Sequence, residues 1–188
     1  MNKAAIFFVS GYEEIEALAV VDLLRRAQVE VLMVSVNDEA YATSARCDIV
    51  VKMDVGISAV DFDSLDMIIL PGGPGTPGFE ESPLLMEQIL RFHEQEKPIA
   101  AICAAPGVLG RMGILAGRRA CSYPTVEGDL RGATVVKDKV VRDGHIFTAR
   151  GMGCSIDFGL ALVAYFKGDQ AARELAERIV YYTERQPT

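Results

Sequence analysis

The chain has 188 residues, half of them hydrophobic and about a quarter charged, with a net charge of −7. These proportions describe one globular domain, residues 1–188, long enough to bury a large core, and they exclude a disordered or low-complexity chain. The acidic balance gives no electrostatic reason to bind nucleic acid or an anionic membrane surface, and no apolar run approaches the ~18 residues of a membrane span.

Residues 4–9 read as a first strand, too short before its turn to be the apolar region of a leader. Ser10-Gly11-Tyr12 turns the chain into a helix over 13–27, with Glu13, Glu14 and Glu16 at its start and Arg25 and Arg26 at its end, the order the helix dipole favours. A second strand is predicted over Val29–Val36, and weaker alternation through 40–60 predicts a small hairpin excursion. Leu65–Leu70 reads as a third buried strand, ending at Pro71-Gly72-Gly73-Pro74-Gly75. Ser82 caps and Pro83 opens the next helix, with Leu85, Ile89 and Phe92 on its inner face.

Ile99–Ile102 is a purely apolar run suited to a central parallel strand, and it stops at Cys103. Small residues and Pro106 then allow a short helix through Val108, Leu109 and Met112, closed by Gly113 with Ile114 as its apolar contact. Beyond it, Arg118–Ser122 reads as a strand, Ala133–Lys137 and Lys139–Arg142 as short antiparallel strands parted by Asp138, and His145–Ala149 as another. Two helices finish the chain, 155–167 and 169–183, the second capped by Asp169. Strands alternating with helices predict a doubly wound α/β sandwich with a mainly parallel sheet and a small antiparallel excursion.

In such sheets ligands bind beyond the carboxyl ends of the strands. Three segments follow strands and can meet there: the turn from Gly11 to Glu16, the Gly72-Gly73 loop, and Cys103. A sulfur between strand end and helix start receives unpaired N–H groups and the positive end of a helix dipole, which favours thiolate. The competing reading of Cys103 is a small buried hydrophobe. Gly72 and Gly73 let backbone approach a ligand, and the N–H groups of Gly73 and Ala104 form a candidate oxyanion hole. Neither G-x-x-x-x-G-K-[ST] nor G-x-G-x-x-G is present, which argues against a phosphate loop.

Glu16 is the most informative carboxylate, because its helical neighbours Ala19, Val20 and Leu23 form an apolar stripe. A carboxyl group there is desolvated, stays protonated and can donate to a nearby thiolate. Glu13 and Glu14 read as dipole partners only. Of the two histidines, His93 beside Glu94 and Glu96 reads as part of a solvated helix face, and His145 after Asp143-Gly144 as a surface turn residue. His145-Ile146-Phe147 also lacks the His-x-Glu of a glutamine amidotransferase. Cys121 and Cys154 read as packing residues and Cys47 stays open; with no C-x-x-C pair, neither a metal site nor a disulfide framework is expected, and free thiols point to a reducing cytoplasm.

Five segments carry a resemblance: Glu13-Glu14-Ile15-Glu16, Arg25-Arg26-Ala27, Leu70-Pro71-Gly72-Gly73, Ala100 to Pro106 around Cys103, and Arg150-Gly151-Met152-Gly153 with Asp157-Phe158. Through them the chain resembles the ThiJ/PfpI superfamily, in the branch that contains the Parkinson-disease-associated protein and its bacterial relatives. The resemblance implies a flavodoxin-like fold forming a homodimer. It also implies Cys103 on a strained elbow as nucleophile and redox-sensitive thiol, Glu16 as its protonated partner, and Gly73 and Ala104, with Gly72 beside them, as backbone donors. It further implies cofactor-free action on a small reactive carbonyl or a glycated protein, as glyoxalase or deglycase, with oxidation sensing and redox-tuned chaperone activity as the alternative. Tyr123 stands where the human-type branch has a histidine, and Met152 where a proline is expected to line the pocket. Ala104 stands where the protease-like members have a histidine, which argues against peptidase activity.

Overall fold

The computed structural model describes residues 2–181. In chain order the elements are β1 (Lys3–Phe8), α1 (Glu14–Arg26), β2 (Glu30–Ser35), β3 (Tyr41–Thr43), β4 (Val50–Lys52), β5 (Val55–Gly56), β6 (Met67–Leu70), α2 (Pro83–Glu94) and β7 (Ile99–Ile102). There follow α3 (Ala105–Arg111), β8 (Arg119–Ala120), β9 (Thr134–Val135), β10 (Val140–Asp143), β11 (Ile146–Ala149), α4 (Ser155–Lys167) and α5 (Asp169–Arg178). Short 3-10 turns at Thr76–Phe79, Pro124–Asp129 and Met152–Cys154 fill the connections near the site.

The central sheet runs β10-β11-β7-β6-β1-β2-β5, parallel throughout except for the β10–β11 pair. Its middle strands are apolar on both faces because helices cover both. Ala4, Ile6 and Phe8 of β1 pack with Val20 and Leu24 of α1 and Phe158 and Leu162 of α4, while Ala5 and Phe7 pack with Leu85, Ile89 and Phe92 of α2 and Val108 of α3. The chain reverses its direction of travel across the sheet at β1, which has β2 on one side and β6 on the other. Such a reversal opens a crevice beyond the strand ends, and there the loop after β6 meets the start of α1.

The excursion expected within 40–60 is the antiparallel β3–β4 pair, with Tyr41 opposite Lys52. Two expectations near the end of the chain are corrected. The strands predicted over 133–142 do not pair with each other: β9 lies parallel to β8, and β10 pairs with β11, because Gly144 at φ 62° closes that hairpin. Asp169 is a first-turn acid and not the cap, a position held by Gly168; α5 ends at Arg178, and residues 182–183 of its expected extension lie outside the described residues. Among the described residues no helix is long and apolar enough to cross a membrane.

Candidate active site

β7 delivers Cys103 and α3 begins two residues later. The cysteine itself sits at φ 64°, a left-handed conformation that costs a non-glycine residue on the order of 1–3 kcal/mol. Hydrogen bonds on both sides hold it there: Cys103 N–H donates to Ala149 O at 2.9 Å, and Tyr123 N–H donates to Cys103 O at 2.8 Å. The strand on one side and the segment before the Pro124 turn on the other thus fix an elbow that the local sequence alone disfavours.

Glu16 reaches the elbow from the first turn of α1. Glu13 caps that helix, its carboxylate accepting from Glu16 N–H at 2.7 Å, and Glu13 N–H donates to Gly72 O at 2.9 Å. The Glu16 side chain is buried, with 1% of its residue surface exposed. Its Oε2 accepts from Gly72 N–H at 3.0 Å, and its Oε1 has no nitrogen or oxygen partner. Burial pushes its pKa up to about 7, assisted by the Glu13 charge and opposed by hydrogen bonds with the Cys103 thiol and Gly72 N–H. Its surroundings therefore favour the protonated acid up to a pH of about 7, well above the range of an exposed carboxylate.

The thiol behaves differently from expectation. Burial and then the charge and hydrogen bond of Glu16 push the Cys103 pKa up to about 12, while the N–H groups of Ala104 and Gly73 pull it down. The backbone donors do converge on the sulfur, but they do not ionise it by themselves, which corrects the expectation built on the helix end alone. Two of the three upward influences come from Glu16 and depend on its carrying charge. A Glu16 that holds the proton exerts no charge on the sulfur and is able to donate to it. Thiol and acid therefore titrate as one unit.

Gly72 has a different task from the one its pairing with Gly73 suggested. Its N–H is committed to Glu16, so only Gly73 and Ala104 aim donors at the sulfur. A Cβ on Gly72 would stand 2.5 Å from Glu16 Oε2 and 2.6 Å from Cys103 Cβ, so glycine is what allows acid and thiol to approach. Gly73, at φ 111°, would press a Cβ against Gly11 O and Glu13 N at 2.5 and 2.6 Å.

Gly151, after β11, is a site residue that residue-level reasoning did not single out. A Cβ there would lie 3.9 Å from both Cys103 Sγ and Glu16 Oε1 and 3.5 Å from the Tyr123 ring, so its missing side chain leaves room directly over the pair. The available signal was its place in Arg150-Gly151-Met152-Gly153. Tyr123 borders this space with 48% of its surface exposed, and Met152 stands next to it at 51%.

The remaining candidates fall elsewhere. His93 and His145 are not the solvated residues expected: they are half-buried, and His93 Nδ1 lies 3.0 Å from His145 Nε2. His145 precedes β11 and Cys103 follows β7, and these strands are parallel neighbours, so the histidines lie at the opposite end of the sheet from the sulfur. Glu14 is more than a dipole partner, since the exposed Cys47 thiol beside it lowers its pKa and Glu14 raises that of Cys47. Cys121 packs in the core as expected, its thiol donating to Thr148 O at 3.4 Å, whereas Cys154 is half-exposed. Among the described residues no group of three or more His, Cys, Asp or Glu side chains could hold a metal ion.

A doubly wound, flavodoxin-like sheet bearing a left-handed cysteine on a strand-to-helix elbow, with a buried carboxyl group beside the thiol, defines a narrow class of protein. The DJ-1/PfpI family model matches residues 2–165. Protein dj-1beta of Drosophila melanogaster is 33% identical over 184 residues, 96% of this chain and 98% of that one. The glutathione-independent glyoxalase DJR-1.2 of Caenorhabditis elegans is 33% identical over 165 residues, 87% of each chain. The crystal structure of Drosophila DJ-1beta superposes with a TM-score of 0.91 at 32% identity, covering 96% of this chain and 98% of that one. Some relatives are longer: the chain spans 38% of the DJ-1 homolog B of Arabidopsis thaliana, to which it is 32% identical over 169 residues. The chain belongs to the DJ-1/PfpI family.

Proposed function

We propose that the protein is a cofactor-free, cysteine-dependent enzyme acting on small reactive carbonyls, of glyoxalase or deglycase type. The observation that carries this reading is the Cys103–Glu16 pair: a thiol whose pKa is pushed up to about 12 beside a buried acid pushed up to about 7, with Gly151 leaving room for a methyl-sized group 3.9 Å from both. With methylglyoxal, the sulfur attacks the aldehyde carbon and Glu16 gives its proton to the oxygen, forming a hemithioacetal. While negative charge develops on that oxygen, the N–H groups of Gly73 and Ala104 are the nearby backbone donors. The hydrogen on the attacked carbon then passes to the neighbouring ketone carbon, either as a proton carried by Glu16 or as a hydride, while the hydroxyl proton of the hemithioacetal moves to the former ketone oxygen. One carbon is oxidised as the other is reduced, so no external redox partner is needed. Water cleaves the resulting thioester, releasing lactate and the free thiol. A glycated protein would present the same carbonyl chemistry on an amine or thiol adduct. The name of the Caenorhabditis relative supports the glyoxalase form.

The proposed assembly is a homodimer in the cytoplasm. Ile15, Tyr123 and Met152 support it as exposed apolar residues around the start of α1 and the site. The deciding assay is lactate formation from methylglyoxal by wild type, Cys103→Ala and Glu16→Gln. Turnover confined to protein with both groups is the expected result, and equal rates in all three would overturn the reading.

A second reading has one observation in its favour. Two N–H groups and a carboxyl group surround the sulfur of the half-buried Cys103, a setting able to hold the oxygens of a sulfinate and to stop oxidation there. In that reading the chain is an oxidation sensor and redox-tuned chaperone. Intact-mass analysis under mild peroxide separates the thiols: two oxygens on Cys103 before any on Cys47 or Cys154 support it, and indiscriminate oxidation removes it.

A further inference from the structure

The chain holds two histidines, and the proposed chemistry uses neither. His93 lies in the last turn of α2 and His145 in the turn between β10 and β11, with Nδ1 and Nε2 3.0 Å apart and the ring planes tilted by 43°. A hydrogen bond between two imidazoles needs one N–H and one lone pair. A neutral pair supplies both, and so does a pair holding one extra proton. A second extra proton turns both facing nitrogens into donors, and the contact becomes repulsive.

The surroundings sharpen that limit. Arg118, before β8, stands next to the pair with Nη1 3.2 Å from Asp143 O and 3.5 Å from Asp143 Oδ1; the Asp143 carboxylate also accepts Arg119 N–H at 2.8 Å. Burial first, and then the Arg118 charge, disfavours protonation of both rings, and His145 feels His93 as well. Glu94 of α2 acts in the opposite sense on His93, and Glu96 of the following turn does so on His145. Arg142 of β10 is turned back on Gly144 O at 3.2 Å, and Lys97 lies over the Phe92 ring.

We propose that His93 and His145 form an acid-operated latch, which ties the end of α2 to the β10–β11 turn while at most one imidazole carries charge and releases it when both do. The latch sits where it can be felt. Ile99 N–H, at the start of β7, donates to His145 O at 3.0 Å, and from this point β7 runs to Cys103 and β11 to Gly151. Release therefore loosens the entry ends of the two strands whose exits build the site.

Hydrogen exchange on the full chain tests this. After correction for the intrinsic pH dependence of exchange, protection over residues 93–98 and 143–146 falls about tenfold between pH ~7 and ~5 in wild type, about 1.4 kcal/mol. His145→Gln, whose amide can keep a hydrogen bond without titrating, shows no such fall, and β1 and β6 stay protected in both proteins. His93→Gln supplies the same comparison from the other side, and imidazole NMR of the wild type reports the protonation state without any substitution. Protection that stays flat in wild type overturns the latch. So does an equal fall in both glutamine variants, or two protonated rings that remain in contact.

Discussion

The two ends of β7 and β11 carry the two most informative titratable pairs among the described residues, and burial acts on them with opposite consequences. At the exit ends, Glu16 and Cys103 are forced together by burial, so that the acid takes up a proton more readily than it does in water. At the entry ends, burial and then the Arg118 charge act on His93 and His145, so that they take one up less readily. The signs for stability therefore differ. A carboxyl raised from the usual 4.5 to about 7 means that the folded chain binds more protons than the unfolded one in this window, and its stability cost grows as pH rises from 4.5 through 7. Histidines held below the usual 6.5 give the reverse: the unfolded chain binds more protons, and stability is lost as pH falls through 6.5. A costly buried pair on a strained elbow points to chemistry, whereas a mutually satisfied pair points to architecture.

The largest effect that would break this contrast is at the sulfur. Cys103→Ala should reduce lactate formation to the uncatalysed background, and retained turnover would make the exit end as inert as the entry end.

Glu16→Gln comes next, with a fall of about 10²–10⁴-fold in turnover if the carboxyl moves the proton. Its stability should move the other way: removing a buried ionisable acid is expected to raise the unfolding free energy by about 1–3 kcal/mol at pH ~8, and much less at pH ~5, measured by denaturant unfolding at both values. Thiolate absorbance sharpens the point. Because the Glu16 charge and hydrogen bond push the Cys103 thiol up, Glu16→Gln should ionise at lower pH than wild type; a higher midpoint in the variant would mean that Glu16 holds the proton and the thiolate is the resting anion.

Gly72→Ala tests the closeness of acid and thiol. Its new methyl group has nowhere to go between Glu16 Oε2 and Cys103 Cβ. Destabilisation of about 1–3 kcal/mol is expected from overpacking, with turnover reduced about 100-fold from displaced groups. Full activity would mean that the pair need not touch.

The smallest effect belongs to the entry end, where His145→Gln should change turnover at pH ~7.5 by less than about twofold, as expected for a side chain that meets no reacting atom. A large loss there would erase the distinction between the two ends.

The helical start at Glu14, the Ser82-Pro83 helix opening and the apolar run into Cys103 were all legible, because capping chemistry and hydrophobic periodicity are properties of neighbouring residues. Glu16 was legible for the same reason, since its stripe of Ala19, Val20 and Leu23 predicts burial within one helix. The pairing of β8 with β9, and the separation of β9 from β10, were not legible: strands of two to four residues carry too little pattern to choose a partner, and the sheet edge chooses for them.

By itself, then, the sequence determined the alternation of strands and helices, the cysteine at a strand-to-helix break and the acid on an apolar face, all of which are written over short stretches of chain. Tertiary structure alone decided that Gly72 serves the acid and not the oxyanion, that Gly151 comes to lie over the sulfur and the acid, and that two histidines 52 positions apart share a hydrogen bond. The physical reason is distance along the chain. Proton affinity and close approach depend on which groups share a low-dielectric space, and segments far apart in sequence become neighbours only when the sheet assembles.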